Sequence, residues 1–239
     1  MTNQAGRLYL IPNFLGEGSR EEIPQAQLKI IYDINEFIVE SEKQARLFLK
    51  TIGHPTPQSD FLFYFLNEHT NNSLELPKWF NNCLQGKNIG LLSDAGIPCL
   101  ADPGNKAVSF AHSQNIKVVP LSGPSSIYMA LMASGFNGQQ FTFHGYLPVE
   151  PKIREKKLKD LEQLVNQSGY SQIFIETPYR NKTIFETMLK IFKPTTELCV
   201  AFNITQADEL IESKTVKAWQ KAGLELSKKP AVFIIGRSF

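Results

Sequence analysis

The sequence predicts an α/β protein with mixed, largely parallel sheets. Short apolar runs of strand length alternate with helix-spaced apolar patterns along the 239 residues, which is the rhythm of strands and helices packed in layers. Two of these runs also stop abruptly in loops rich in glycine and proline. Residues 88 to 135 read NIGLLSDAGIPCLADPGNKAV, then a short helical pattern, then IKVVPLSGPSSIYMALMASG. Ile89, Leu91 and Leu92 form a strand ending at Ser93, and Ile116, Val118 and Val119 form another that stops at Pro120. In parallel sheets ligands bind beyond the carboxyl ends of strands, where small residues let a ligand lie against backbone groups. The functional site is therefore expected at these two loops.

From the N-terminus, RLYLI at residues 7 to 11 is a first strand running into Pro12 and a loop that contains Gly16-Glu17-Gly18. That GEG alone is an ordinary turn. KIIYDINEFIVES mixes helical and strand-like spacing, with Glu36-Phe37-Ile38-Val39 as its strand, and residues 40 to 46 then open a helix carrying Ala45, Phe48 and Leu49 inward. His54-Pro55-Thr56-Pro57 breaks this helix, Phe61, Phe63, Phe65 and Leu66 follow as a strand, and a helix spans about residues 77 to 84. Beyond the organising stretch, Ile127, Ala130, Leu131 and Ser134 form one helical face, and FTFHGYLP is a proline-stopped strand in a boundary region. Residues 150 to 166 then form a charged helix whose apolar side is Ile153, Leu158, Leu161 and Leu164. SQIFIE is a strand ending at Glu176, NKTIFETMLKIF a helix, ELCVAFNIT a strand, and KPAVFIIG the last strand, with Pro230 at an edge or entry position.

Composition narrows the class. A hydrophobic fraction of 42% supports a substantial core, in one large or two small domains. No apolar run reaches the roughly 18 residues of a membrane span, and MTNQAGR lacks the order of a signal peptide, so a soluble, cytoplasmic protein is expected. Cys83, Cys99 and Cys199 are scattered and the four histidines do not cluster with them, so reduced thiols and no metal site are expected. The net charge of +2 neither demands nor forbids a nucleic-acid partner.

SDAGIPCLADPG resembles the SDAGTP-x-x-SDPG element, and PLSGPSS the PLPGPSA element, of the tetrapyrrole methylase superfamily, whose members use S-adenosylmethionine. FHGYLP is similar to the superfamily's FxGFLP and ETPYR to its ESPHR. The closest branch is the one that methylates a ribose 2′-hydroxyl of 16S ribosomal RNA. Two departures stand out: Val39-Glu40-Ser41-Glu42-Lys43 replaces that branch's AEDTR, and Phe202-Asn203-Ile204-Thr205-Gln206 replaces its REITK. The chain also stops soon after its last strand, where many relatives continue.

The resemblance implies two α/β domains, 1–118 and 119–239, with the cofactor in the cleft between them, and a homodimer. It implies contacts from Pro12, the backbone of Gly96, Ile97 and Leu100, the loop-fixing Pro98, and the hydroxyls of Ser125 and Ser126 to S-adenosylmethionine. Methyl transfer from a sulfonium is an in-line displacement that needs a positioned acceptor, and a hydroxyl acceptor must also lose its proton. Asp94, Asp102 and Glu176 stand at strand ends as candidate bases; the first two suit turn-holding equally well, because aspartate accepts backbone hydrogen bonds readily. Arg180 and the lysines at 152, 156, 157 and 159 are candidates for RNA phosphates, and His144 for a structural hydrogen bond. Two further readings are a tetrapyrrole or other small-molecule acceptor, and a non-catalytic S-adenosylmethionine-binding protein.

Overall fold

The computed structural model describes residues 5–66, 75–226 and 228–238; the first four residues, which open the MTNQAGR segment, lie outside that set. The chain divides into two units, Met1–Ser125 and Ser126–Phe239. A boundary at 118 would cut a strand between Val118 and Val119, which pair with Leu8 and Tyr9, so the division falls after Ser125 instead.

In the first unit the elements run β1 (Arg7–Ile11), α1 (Gln25–Tyr32), β2 (Glu36–Val39), α2 (Glu42–Thr51), β3 (Leu62–Phe65), α3 (Leu76–Trp79), α4 (Asn81–Leu84), β4 (Ile89–Leu92), α5 (Asn105–Ser113) and β5 (Lys117–Pro120). The strands form one sheet in the order β3-β2-β4-β1-β5, parallel throughout. Alternation along each strand sends side chains to opposite faces. Tyr9, Ile11, Phe37, Val39 and Leu92 join a core with α1 and α2. Leu8, Ile38, Ile89 and Leu91 pack on the other face with residues of α3, α4 and α5. Phe37 is fully buried, a burial that stabilises by about 1.5–3 kcal/mol. Its ring occupies the space a side chain at Gly90 would need, since a Cβ there would lie 2.7 Å from Phe37 Cδ1. The helix expected at 77–84 is two short helices meeting at Phe80, and Phe61 and Leu66 lie just outside β3, both buried.

The second unit comprises α6 (Ser126–Ser134), β6 (Phe141–Tyr146), α7 (Pro151–Ser168), β7 (Ser171–Glu176), α8 (Asn181–Ile191), β8 (Glu197–Phe202), β9 (Leu210–Thr215), α9 (Val216–Ala222) and β10 (Ala231–Gly236). Its sheet has the order β6-β7-β10-β8-β9. Only β6 and β7, joined through α7, are parallel; β10 runs antiparallel to both β7 and β8, and β8 to β9. The largely parallel expectation therefore holds for the first sheet, and the second is mixed and mainly antiparallel. Pro230 sits at the entry of a central strand, with its carbonyl accepting from the Asn203 N–H at 3.0 Å.

The face of α7 differs from the sequence reading. Ile153 and Leu164 are exposed, at 54% and 42%, while Arg154, Leu158, Leu161, Glu162 and Val165 are buried. The two charged side chains turn inward because backbone groups need them. Arg154 donates to the Val149 carbonyl at 2.7 Å, and Glu162 accepts from the Lys193 N–H at 2.7 Å and from the Thr196 hydroxyl. Among the described residues no helix is long and apolar enough to cross a membrane.

Candidate functional site

Three strand-end turns of the first unit meet at the carboxyl edge of its sheet, where β1 lies between β4 and β5. The turns after β1 and β4 are locked by a pair of backbone hydrogen bonds, Asn13 N–H to Gly96 O at 2.9 Å and Gly96 N–H to Asn13 O at 3.1 Å. The Asn13 side chain adds three more. Its Nδ2 donates to the carbonyls of Ser93 and Asp94, both at 3.1 Å, and its Oδ1 accepts from the Phe14 N–H at 2.8 Å. The turn after β5 closes on the same place: a Cβ on Gly123 would lie 2.3 Å from Pro12 Cβ, and one on Gly96 would lie 3.5 Å from the Pro124 carbonyl oxygen. Pro12, Gly96, Pro124 and Ser125 are thus neighbours across three loops. Asn13 escapes sequence reasoning because an asparagine in a loop carries no signal of a partner 80 residues away.

The segment after Gly96 is bent sharply. Gly96, Cys99, Ala101 and Gly104 all have positive φ, at 71°, 68°, 62° and 139°. For Cys99 and Ala101 that region is unfavourable and persists only where the surroundings impose it, a state concentrated at binding sites. Alternation of this kind turns successive N–H groups toward one side, a concavity suited to carbonyl or carboxylate oxygens. Among the described residues, the N–H of Ile97 and the hydroxyl of Ser125 have no hydrogen-bond partner. Pro98 is buried and lacks a donor, so it fixes the loop without competing for it. Unengaged donors in turns made of small residues fit a ligand that lies against the backbone.

Asp94 and Asp102 stand together at this edge. Asp94 Oδ1 accepts from the N–H of Ser41 at 3.3 Å, and Ser41 is the N-cap of α2, its hydroxyl accepting from the Gln44 N–H at 3.3 Å. Asp102 accepts from the Ser93 hydroxyl. Asp94 thus ties its turn to the start of α2 through a backbone N–H and Asp102 ties to the β4 end through a hydroxyl, and only one oxygen of each is used. Burial pushes both carboxyls above their ordinary range; the Ser41 N–H opposes this at Asp94, and at Asp102 the Ser93 hydroxyl opposes it while the charge of Asp94 adds to it. A folded protein that holds the Asp102 proton more tightly than the unfolded chain is fully stabilised by it below 3.8, the group's ordinary value, and loses that contribution as pH rises through the folded-state value. Asp102→Asn, which cannot ionise, is expected to gain stability relative to wild type across that window. Urea titrations at stepped pH values measure this, and a difference that is flat or moves the other way contradicts it.

The remaining expected residues belong to the second unit. Glu176, its side chain 0% exposed, accepts from Arg180 Nε at 2.8 Å and pairs with Nη2 at 2.5 Å, and takes the Thr177 N–H at 2.7 Å. A carboxylate and a guanidinium bound to each other in this way anchor the turn into α8, with Glu176 Oε2 and Arg180 Nη1 left without a hydrogen-bond partner among the described residues. His144 Nε2 lies 2.8 Å from Gln172 Oε1, the structural bond its setting suggested, and burial lowers its pKa. The segment at 202–206 is a turn, with Asn203 and Thr205 at φ 48° and 71° and the Thr205 N–H donating to Glu209 at 2.6 Å. Glu42, in the other departing segment, pairs with Arg46 at 2.6 Å. Among the described residues no group of three or more His, Cys, Asp or Glu is arranged to hold a metal ion.

Comparison with known proteins agrees with the loop geometry. The family model described as Tetrapyrrole (Corrin/Porphyrin) Methylases matches residues 15–219. A protein named ribosomal RNA small subunit methyltransferase I from Vibrio cholerae is 30% identical over 210 residues, covering 88% of this chain and 69% of its own length. A Haemophilus influenzae protein of the same name is 30% identical over 217 residues, covering 91% and 72%. Among solved structures, the methyltransferase CobJ aligns with a TM-score of 0.62 at 14% identity, covering 98% of this chain and 95% of that one. The cobalt precorrin-4 methyltransferase CbiF aligns at 0.59 and 15%, covering 96% and 94%. At such identities the structures speak for the fold alone, but the match of sequence over most of the chain decides the family: the chain belongs to the tetrapyrrole (corrin/porphyrin) methylases.

Proposed function

We propose that the protein is an S-adenosylmethionine-dependent methyltransferase acting on a ribose 2′-hydroxyl of small-subunit ribosomal RNA. The convergence of three side-chain-poor turns at the carboxyl edge of the first sheet carries this reading, supported by sequence relatives named as small-subunit ribosomal RNA methyltransferases. Ile97 and Leu100 would donate backbone N–H groups to the cofactor and Ser125 and Ser126 their hydroxyls, over the floor set by Pro12, Gly96 and Pro98. When bound, S-adenosylmethionine supplies an electrophilic methyl group. The chain's own task is to hold the acceptor in line with it and to receive the hydroxyl proton. The Asp94–Asp102 pair suits the second role: burial makes each a stronger base than an exposed aspartate, and each keeps one carboxylate oxygen with no bond to a described residue. Homodimeric assembly is part of the proposal and is read by analytical ultracentrifugation.

The test is transfer of labelled methyl groups to small-subunit RNA from cells lacking this protein, with tetrapyrrole acceptors in parallel. Label in RNA, at a nucleotide made resistant to alkaline cleavage, is expected. Label in the tetrapyrrole alone, or in neither while the cofactor binds, would replace RNA methylation by one of the other two readings. Lys152, Lys156 and Lys159 are exposed on α7 and make no ion pair with a described residue. If they meet the RNA backbone, the logarithm of RNA affinity falls with the logarithm of salt by about 0.7 for each phosphate neutralised on a single strand. The slope should shrink by about 2 when all three are replaced by alanine, as fluorescence anisotropy over a salt series would measure.

A further inference from the structure

A pocket of about 500 Å³ opens in the first unit, walled by the β1 turn and by α2. Its size lies in the range of roughly 300–1,000 Å³ typical of small-ligand sites. Asn13 and Ala95 line it and also belong to the turns described above, so it adjoins the site, sharing the β1 and β4 turns with it and adding a wall from α2. Phe14 and Phe48, ring centroids 5.6 Å apart, give it an aromatic floor. Leu47 stands on its rim with 57% of its surface exposed, a large apolar side chain on the outer face of the helix beside the exposed Lys43, Gln44 and Lys50. Gln44 and Thr51 also line the pocket, and their side chains make no hydrogen bond to any described residue. On α2, Lys43 and Lys50 fall four residues before and three after Leu47, the two spacings that share a helix face. Both are exposed and neither is ion-paired with a described residue.

We infer that this pocket takes an unstacked base of the acceptor RNA, an inference that rests on the RNA reading given above. Apolar and aromatic walls accept the flat face of a base, and sequence-directed RNA recognition works mainly on bases swung out of a single strand. A glutamine amide offers one donor and one acceptor side by side, the pattern presented in reverse by the edge of a base. The two lysines stand where the phosphates on either side of a swung-out nucleotide would pass. The position also suits the chemistry, because burying a base beside the Asn13–Gly96 bridge would restrict its ribose to the neighbourhood of Asp94. The departure of residues 41–43 from the relatives' pattern lies at the start of this same helix, and Lys43 keeps a positive charge where they carry arginine.

The test uses the full chain and a single-stranded small-subunit RNA fragment carrying 2-aminopurine at successive positions, whose fluorescence changes when a base leaves its stack. Leu47→Glu, at an exposed position that folding does not depend on, and Gln44→Ala are compared with wild type. The expected result is a position-specific fluorescence change in wild type that both variants lose, with KM for RNA raised about tenfold by Leu47→Glu, within the range of about fivefold to a hundredfold that one stacked base contributes. Affinity for S-adenosylmethionine, read by calorimetry, stays the same. Unchanged RNA KM and fluorescence in both variants would overturn the inference while leaving RNA methylation standing. Lost cofactor affinity would assign the pocket to the cofactor instead. Absence of RNA methylation by the wild-type protein would remove the parent reading and this one together.

Discussion

Arg180→Ala is expected to destabilise the second unit by about 3 kcal/mol, near the lower end for breaking a buried ion pair because a quarter of the arginine side chain, 25%, remains exposed. The cost arises from what is left behind. Glu176 is wholly shielded, and without Arg180 its carboxylate keeps only the Thr177 N–H. The surroundings offer little relief, since Glu176 Oε2 and Asn181 Oδ1 are buried with no hydrogen-bond partner among the described residues. Asn181 also ties this turn to the strand entry by donating to the Lys229 carbonyl at 2.6 Å. Removing the charge as well, in Glu176→Gln with Arg180→Ala, should recover part of the loss, because the uncompensated carboxylate disappears. Urea unfolding measures both. An Arg180→Ala protein of wild-type stability that has lost RNA affinity would instead make Arg180 a substrate contact.

Gly123→Ala is expected to weaken S-adenosylmethionine binding by tenfold to a hundredfold. The new methyl group would lie 2.3 Å and 2.5 Å from Pro12 Cβ and Cγ. A proline ring cannot rotate aside, so the β1 and β5 turns must separate. Overpacking of this kind costs about 1–3 kcal/mol, which corresponds to the stated range of affinity if it falls on the bound conformation. Gly96→Ala should act differently and more mildly. Its Cβ would meet the mobile end of Leu15 at 3.2 Å, and the main penalty is the positive φ of 71°, about 1–2 kcal/mol. Calorimetry on both variants, with circular dichroism to confirm folding, gives the comparison. Full affinity in folded Gly123→Ala would move the cofactor away from these turns.

Much of the first unit is legible in the sequence because its three central strands are largely buried and its turns are punctuated by glycine and proline. β1 and β2 fall where RLYLI and EFIV place them, and in the second unit the inward residues of α6 are the expected Ile127, Ala130, Leu131 and Ser134. What escapes is set by partners distant in sequence. LIESKT, which forms the edge strand β9, has little apolar alternation to announce it and is held by its antiparallel pairing with β8. Arg154 and Glu162 point inward on α7 because unpaired backbone groups at 149 and 193 await them, which no helical wheel can show. At the site, the two aspartates are visible as types, while their shared surroundings depend on Ser41, Ser93 and Asn13, contributed by three different strand ends.

The strand order of the second sheet sets a timetable for synthesis. β7 and β8 are separated by β10, whose residues 231–236 are the last of the sheet to be made. Until they emerge from the ribosome, Phe174 and Val200 lack the neighbour Phe233 that lies opposite both. The first unit meets no such delay, because its final strand ends at Pro120. Domains fold in the order in which they are completed, so the nascent chain carries a finished parallel sheet while the second half waits with two open strand edges. Long-range pairing of that kind is slow and exposes edges to other chains. A stalled or shortened product ending before residue 231 would therefore be a substrate for chaperones or a seed for aggregation, even though the turns around Gly96 and Gly123 were already in place.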